Sequence, residues 1–373
     1  GRKMSDVEIG RSKRARAAYS FDDVSLVPSR RTRDDALVSM DWKIDAYSFS
    51  HPIIAAPMDS VVSPSSAKTF AAAGGLAILN LEGVWTRYED PTGVLNDIAA
   101  LDTKGATAKL QEIYSKPIQP ELIAARIKEM RTSGITVAGS LSPQRTAQFA
   151  KQVVEAGVDI FVIRGTTVSA EHVSNGGEAL NLKEFIYQLD VPVIVGGCAT
   201  YTAALHLMRT GAAGVLVGFG GGAAHTTLDV LGVRVPMASA VADVAAARRD
   251  YLDESGGRYV SVIADGSMGR SGDVSKAIAL GADAVVVGST FARATDAPGR
   301  GKHWGIEATH LELPRGELVD LGTTGTLSEI ISGPSHTADG TMNMVGALRR
   351  AMATCGYSDL KEFQRCEVVV TPN

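Results

Sequence analysis

Eight short runs rich in aliphatic and β-branched residues recur along the chain, at 52–56, 76–80, 135–141, 160–165, 191–197, 213–220, 259–266 and 284–289. Most are apolar nearly throughout instead of alternating apolar with polar. Strands read this way when both faces of a parallel sheet are covered, because neither side meets water. Between them lie stretches with helical spacing of apolar positions, at 65–73, 121–133, 142–156, 183–189, 201–210, 238–252 and 271–280. Gly74, Gly134, Gly157, Gly211 and Gly281 each stand just ahead of a strand, where a glycine suits the left-handed residue that closes a helix. Eight strand–helix units in unbroken series predict an α/β fold, a (β/α)8 barrel. A doubly wound open sheet shares the same alternation.

Three segments depart from the rhythm. Residues 82–120 are longer than a simple connection and mix helical spacing with turns, which predicts an excursion between strands two and three. Residues 296–341 are rich in Gly, Thr and Pro and predict a lid or flap segment, the usual role of a long loop in a compact domain. After it, an amphipathic helix over 345–355 would bury Val345, Leu348 and Met352 and leave Arg349 and Arg350 to water. Residues 1–35 read as an N-terminal arm whose Arg11, Lys13, Arg14, Arg16, Arg30, Arg31 and Arg33 are diluted by Asp22, Asp23, Asp34 and Asp35. A solvated arm or subunit contact accounts for it better than nucleic-acid binding, because aromatics are sparse. Residues 1–373 are thus expected to form a single barrel domain with these three attachments.

Composition narrows the picture. The 373 residues are 45% hydrophobic and 6% aromatic, with 39 glycines, enough for a large core with helices packed closely on a sheet. A net charge of −4 gives no global pull toward nucleic acid. No apolar stretch is long enough to span a bilayer and the start lacks a signal-peptide core, so the expected location is cytoplasmic. Cys198, Cys355 and Cys366 have neither metal-ligand spacing nor disulfide density and read as free thiols. His172 and His206 have no ligand partner at useful spacing.

Candidate chemistry concentrates at two strand ends. The seventh run closes on Asp265-Gly266 and the eighth on Gly288-Ser289. A carboxylate there can accept hydrogen bonds from ribose hydroxyls. Gly-rich turns let backbone N–H groups approach phosphate oxygens beside the positive end of a following helix. The loops after strands seven and eight of a parallel barrel often form a phosphate site. Asp265 could instead cap the helix beginning near Ser271.

With Tyr19-Ser20-Phe21-Asp22-Asp23-Val24, Ala56-Pro57-Met58-Asp59-Ser60-Val61, Gly196-Gly197-Cys198-Ala199-Thr200, the loop 218–227, Ile263-Ala264-Asp265-Gly266 and Val287-Gly288-Ser289 in order, the chain resembles the inosine monophosphate dehydrogenase / guanosine monophosphate reductase family. The resemblance is closest to a compact, dehydrogenase-related subgroup without the regulatory cystathionine-β-synthase-type domains, since the connection between strands two and three is too short to hold them. It implies a TIM barrel, usually a homotetramer, that binds a purine nucleoside 5′-monophosphate (IMP, GMP or XMP) with NAD or NADP beside the purine. In the dehydrogenase a loop cysteine adds to purine C2, hydride leaves to NAD and the adduct is hydrolysed. The reductase runs related chemistry in reverse on GMP with NADPH. On this resemblance Met58, Gly222, Asp265, Gly266, Ser267, Gly288 and Ser289 contact substrate. Arg164, Gly218 and Gly220 lie on the cofactor side, and carbonyls of Gly220, Gly222 and His225 are candidates for a K+ site.

The departures fall on the chemical side. The family loop reads roughly Gly-x-Gly-x-Gly-Ser-x-Cys-Thr-Thr, and here it is Gly218-Phe219-Gly220-Gly221-Gly222-Ala223-Ala224-His225-Thr226-Thr227. His225 stands at the catalytic cysteine's place, with Thr227 two residues on, and Ala223 replaces a phosphate-binding serine. Arg164 stands where the dehydrogenase has an aspartate, Gly197 replaces an asparagine near the base, and Met237 takes a position often held by glutamine. Ser267 occupies a position where glycine is commoner. No clear Arg-Tyr pair is found in the lid, where Glu307, Glu312 and Arg315 are candidate polar groups. His225 is open to three readings, a substitute catalyst, a ligand contact or an ordinary loop residue. Cys198 is either a migrated nucleophile or a core filler.

The expected function is an NAD(P)-linked purine nucleotide oxidoreductase of this family. The alternative is a catalytically impaired purine-nucleotide-binding or regulatory protein. A third option is another phosphate-bearing substrate on the same barrel.

Overall fold

The computed structural model describes residues 6–172 and 180–371; the arm's first residues, 1–5, lie outside the described part, as do 173–179 and the last two. Eight parallel strands close into a barrel: β1 (Ile53–Ala55), β2 (Leu76–Asn80), β3 (Ala138–Leu141), β4 (Ile160–Arg164), β5 (Val193–Cys198), β6 (Gly214–Val217), β7 (Ser261–Asp265) and β8 (Ala284–Val287). β8 returns to β1 in register, with Val285 opposite Ile53 and Val287 opposite Ala55, and that pairing excludes an open sheet. The strands are buried along almost their whole length, which is why the runs lack polar alternation.

The helices fall where the spacing places them: α1 (Pro64–Ala72), α2 (Pro120–Thr132), α3 (Pro143–Glu155), α4 (Leu182–Tyr187), α5 (Tyr201–Met208), α6 (Met237–Glu254), α7 (Ser271–Ala279) and α8 (Met344–Cys355). Their starts are chemically marked. Pro64, Pro120 and Pro143 take the first helical position, where a missing N–H costs nothing. The Ser63 and Thr200 side chains accept the backbone N–H of Ser66 and Ala203. The five glycines named as helix closers all have positive φ, from 77° at Gly134 to 126° at Gly281. In α8, Leu348 and Met352 are fully buried, while Arg350 pairs with Asp35 at 3.0 Å.

Two expectations change. The N-terminal arm is shorter than 1–35. Among the described residues the hairpin Asp6–Gly10 with Lys13–Arg16 is exposed and touches α6 through Arg16–Asp243 at 2.8 Å, whereas Phe21 is buried and the strand Val24–Val27 pairs antiparallel with Glu367–Val370. Apolar Val24 and Leu26 supply contacts that an arm reading, made from charge alone, overlooks. The excursion and the lid are also one body. Val84, Leu95, Ile98, Leu110, Ile113 and Tyr114 from the first bury with Trp304, Ala308 and Leu318 from the second in a satellite core.

A polar chain ties that satellite core to β1. Trp304 Nε1–H donates to the Tyr114 hydroxyl at 2.8 Å, which donates to Asp59 Oδ2 at 2.5 Å; the Val84 N–H reaches the same oxygen at 2.8 Å. Asp59 Oδ1 has no partner. Burial pushes the Asp59 carboxyl up to about 6, against the bonds from Tyr114 and Val84. Because the folded value is raised, the stability linked to this group is fully present below the ordinary 3.8 and is lost as pH climbs through about 6. The rise from 3.8 to about 6 corresponds to up to about 3 kcal/mol. Asp59→Asn should therefore lose less stability than wild type between pH 4 and 7 in urea unfolding; parallel pH profiles would refute the assignment.

Gly197 has a packing reason for lacking a side chain. A Cβ there would lie 1.8 Å from the Gly218 carbonyl oxygen, so an asparagine cannot occupy this position without moving the β6 loop. Gly197→Ala should lower stability by roughly 1–3 kcal/mol. A melting temperature equal to wild type would show that the loop yields freely.

Candidate functional site

The C-terminal ends of the strands deliver most of the expected residues to one chamber. Met58 arrives from β1, Arg164 from β4, Gly220, Gly222 and His225 from the β6 loop, Asp265, Gly266 and Ser267 from β7, and Gly288 and Ser289 from β8. Two expected residues stay outside it. Gly218 is pressed against β7, where a Cβ would meet the Asp265 carbonyl oxygen at 2.2 Å, so its backbone serves packing. Thr227 is buried at the head of the short helix Thr227–Leu231, and its hydroxyl lacks a partner.

The chamber is tight, roughly 30 Å3, and opens beside a larger cleft of about 520 Å3. The cleft runs between Ser20–Asp22, the β6 loop and 267–270, and shares His225, Ser267 and Ser289 with the chamber. Its volume suits a small ligand, but Asp265 is not on its wall. Arg164, Asp265 and His303 face the small chamber, whereas Asp22, Asp229, Arg234, Arg270 and Asp273 line the larger cleft.

Charge organises the chamber. Arg164 meets Asp265 in a fork, Nε to Oδ2 at 2.8 Å and Nη2 to Oδ1 at 3.2 Å. Burial works against the guanidinium's charge, but Asp265, with Glu307 beyond, outweighs it and raises the Arg164 pKa. Both Asp265 oxygens accept from Arg164, and each keeps a lone pair for a further donor such as a hydroxyl. Arg164 is thereby tied to the β7 carboxylate. Asp265 caps no helix; α7 begins at Ser271, well beyond it.

On the opposite wall the lid is joined to the β6 loop. Thr226 N–H donates to the Arg315 carbonyl at 3.2 Å and Glu317 N–H to the Ala224 carbonyl at 2.9 Å, with His225 and Gly316 bridged between them. The Arg315 N–H in turn donates to the Glu307 carbonyl at 2.9 Å. This brings Glu307 Oε2 to 3.7 Å from His225 Nδ1, with the two side chains 12% and 6% exposed. Neither atom has a hydrogen-bond partner. Burial raises the Glu307 carboxyl, but His225 and Arg164 more than offset it and hold it below its ordinary value.

His303, which the sequence did not single out, also lines the chamber. Its Nδ1 lies 2.8 Å from the buried Ser60 hydroxyl, and burial, with His225 nearby, lowers it to about 3, so the ring is neutral. Nothing in the lid's sequence marks it; only the pairing of Lys302–His303 with Val319–Asp320 places it. Cys198 is buried with Sγ on the Leu216 carbonyl, and burial pushes its thiol up to about 12, so it is no activated nucleophile. Ser267 has φ of 63°, a conformation that explains the commoner glycine, and its hydroxyl donates to the Gly221 carbonyl. The Gly222 carbonyl accepts the His225 N–H. Of the three carbonyls named for a cation, the Gly222 carbonyl thus already accepts one internal donor. Among the described residues no cluster of three His, Cys, Asp or Glu is placed to hold a metal, and no helix is long and apolar enough to cross a membrane.

Comparison with known proteins agrees with this architecture. The IMP dehydrogenase / GMP reductase domain matches residues 18–312. An uncharacterized oxidoreductase of Mycolicibacterium smegmatis is 49% identical over 372 residues, covering 98% of this chain and 99% of that protein. The inosine-5′-monophosphate dehydrogenase of Methanocaldococcus jannaschii is 26% identical over 490 residues, covering 96% and 94%. The crystal structure of an IMP dehydrogenase/GMP reductase-like protein from Corynebacterium glutamicum superposes with a TM-score of 0.93 at 48% identity, over 98% of this chain and 97% of that one. The chain is a TIM-barrel member of the IMP dehydrogenase / GMP reductase family of oxidoreductases, compact and without inserted regulatory domains.

Proposed function

We propose that the protein binds a purine nucleoside 5′-monophosphate (IMP, GMP or XMP) at the barrel mouth and acts on it as an NAD(P)-linked oxidoreductase. The supporting observation is the convergence of Met58, Asp265–Ser267 and Gly288–Ser289 on one chamber that opens into a cleft of ligand size. Ser267 and Ser289 stand on the shared wall, suited to phosphate. Entry of a base into the roughly 30 Å3 chamber requires Met58, His225 or Arg164 to shift. Of the three residues expected on the cofactor side, only Gly220 faces both spaces, and that set does not form a dinucleotide site by itself. A nicotinamide dinucleotide, when bound, supplies hydride exchange; the residues named here bind and orient the nucleotide. A homotetramer in the cytoplasm belongs to the same reading. The exposed apolar segment with Leu228, Val230, Leu231 and Val233 supports a subunit contact.

A second reading is a nucleotide-binding or regulatory protein with impaired turnover. It is favoured by His225 at the cysteine position and by the inert Cys198.

Thermal-shift titration with IMP, GMP, XMP and ribose 5-phosphate addresses binding. At about 100 times Kd, a selective ligand adds about 2.7 kcal/mol and raises Tm by a few degrees. Asp265→Asn should weaken that shift at least tenfold in apparent affinity, and an unchanged titration would remove Asp265 from the ribose site. Alanine is less informative, since stranding buried Arg164 costs about 3–5 kcal/mol.

His225→Cys alone should not yield normal IMP-dependent NAD reduction. A thiol at this place faces the Glu307 carboxylate, which opposes the thiolate that covalent chemistry needs. A rate within a few-fold of an ordinary dehydrogenase, read from nicotinamide absorbance, would contradict this.

A further inference from the structure

The lid reaches the β6 loop with a carboxylate aimed at an imidazole, and the surrounding backbone is shaped to permit it. At Gly305 a Cβ would lie 2.7 Å from Glu307 Oε2, 3.3 Å from His225 Cε1 and 3.3 Å from Met58 Cε. At Gly316 it would lie 2.8 Å from the Ala224 carbonyl oxygen. A side chain at Gly316 would push the lid off the loop, and one at Gly305 would crowd the Glu307 carboxylate and the His225 ring. The approach leaves His225 Nδ1 and Glu307 Oε2 as two buried polar atoms, each without another partner, 3.7 Å apart. An unpaired buried carboxylate is costly, and a small closure converts this gap into a charge-assisted hydrogen bond. His225 meanwhile stands on the wall shared by chamber and cleft, where a ligand must pass.

We propose that Glu307 is a positioning residue that fixes His225 as the Nδ1–H tautomer, so that Nε2 acts as a proton-transfer group toward the bound nucleotide or a water beside it, in place of a covalent nucleophile. The inference deepens the nucleotide reading above and rests on it for the identity of the ligand. The step is a proton transfer only. A proton from a ligand or water O–H or N–H passes to Nε2, Nδ1–H stays on the ring and donates to Glu307, and nothing is oxidised or reduced. The carboxylate stabilises the imidazolium without taking its proton. The other charged or titratable groups facing the pair are His303 from the lid, neutral beside Ser60, Arg164 from β4 with its partner Asp265 from β7, and Arg315 from the lid.

The first test uses the full chain without ligand. Nitrogen-15 NMR of labelled histidines, with His225→Asn for assignment, should show His225 as the Nδ1–H tautomer in wild type and in Glu307→Gln. In Glu307→Leu it should revert toward the Nε2–H form. An Nε2–H wild type, or a tautomer indifferent to Glu307→Leu, overturns the pairing. The second test follows nicotinamide absorbance with IMP plus NAD and with GMP plus NADPH. His225→Ala should lower kcat on the order of 100-fold, and adding Glu307→Leu should cost little more, as for residues acting as a unit. Additive losses, or a nucleotide covalently attached to His225 in acid-quenched samples by mass spectrometry, would overturn the proton-transfer role. Failure of every nucleotide to bind in thermal shift would instead defeat the nucleotide reading, while the tautomer result stands or falls separately.

Discussion

Buried charge is the constraint around which this barrel mouth is arranged. Arg164, Asp265 and Glu307 come from β4, β7 and the lid, with His225 of the β6 loop beside them, and no buried charge among the three could persist there alone. The forked Arg164–Asp265 contact settles one carboxylate. Glu307 is held ionised by His225 and Arg164 despite burial. Removing Arg164 would leave Asp265 without its partner and Glu307 without one of the charges that lower its pKa.

The lid is zipped to the β6 loop by backbone hydrogen bonds and packed into a satellite core through Trp304. Through Tyr114 the same core touches Asp59, one residue past Met58. The fold sets His225 and Glu307 side by side on the chamber wall, and Cys198 at the end of β5 is buried and unreactive.

Much of the barrel was legible in the sequence. Strands covered on both faces leave continuous apolar runs, and prolines, capping hydroxyls and glycines mark the helix ends. The loops after β7 and β8 were legible as well, since Asp265-Gly266 and Gly288-Ser289 combine acceptor, hydroxyl and flexible backbone at strand ends. What could not be read was pairing. Arg164 and Asp265 are 101 residues apart, and only barrel closure with its stagger brings their side chains together. His303 and the shared core of excursion and lid were hidden because aperiodic segments carry no signal of what they pack against. The Phe21–Val27 stretch was misjudged because charge was weighed ahead of its apolar residues.

The most direct test is a crystal structure of the full chain soaked with GMP. The account predicts phosphate against 266–267 and 288–289, ribose hydroxyls at Asp265, and His225 Nε2 within hydrogen-bond reach of the nucleotide with no covalent link. GMP bound elsewhere, or a chamber that stays closed at saturating nucleotide, would contradict it.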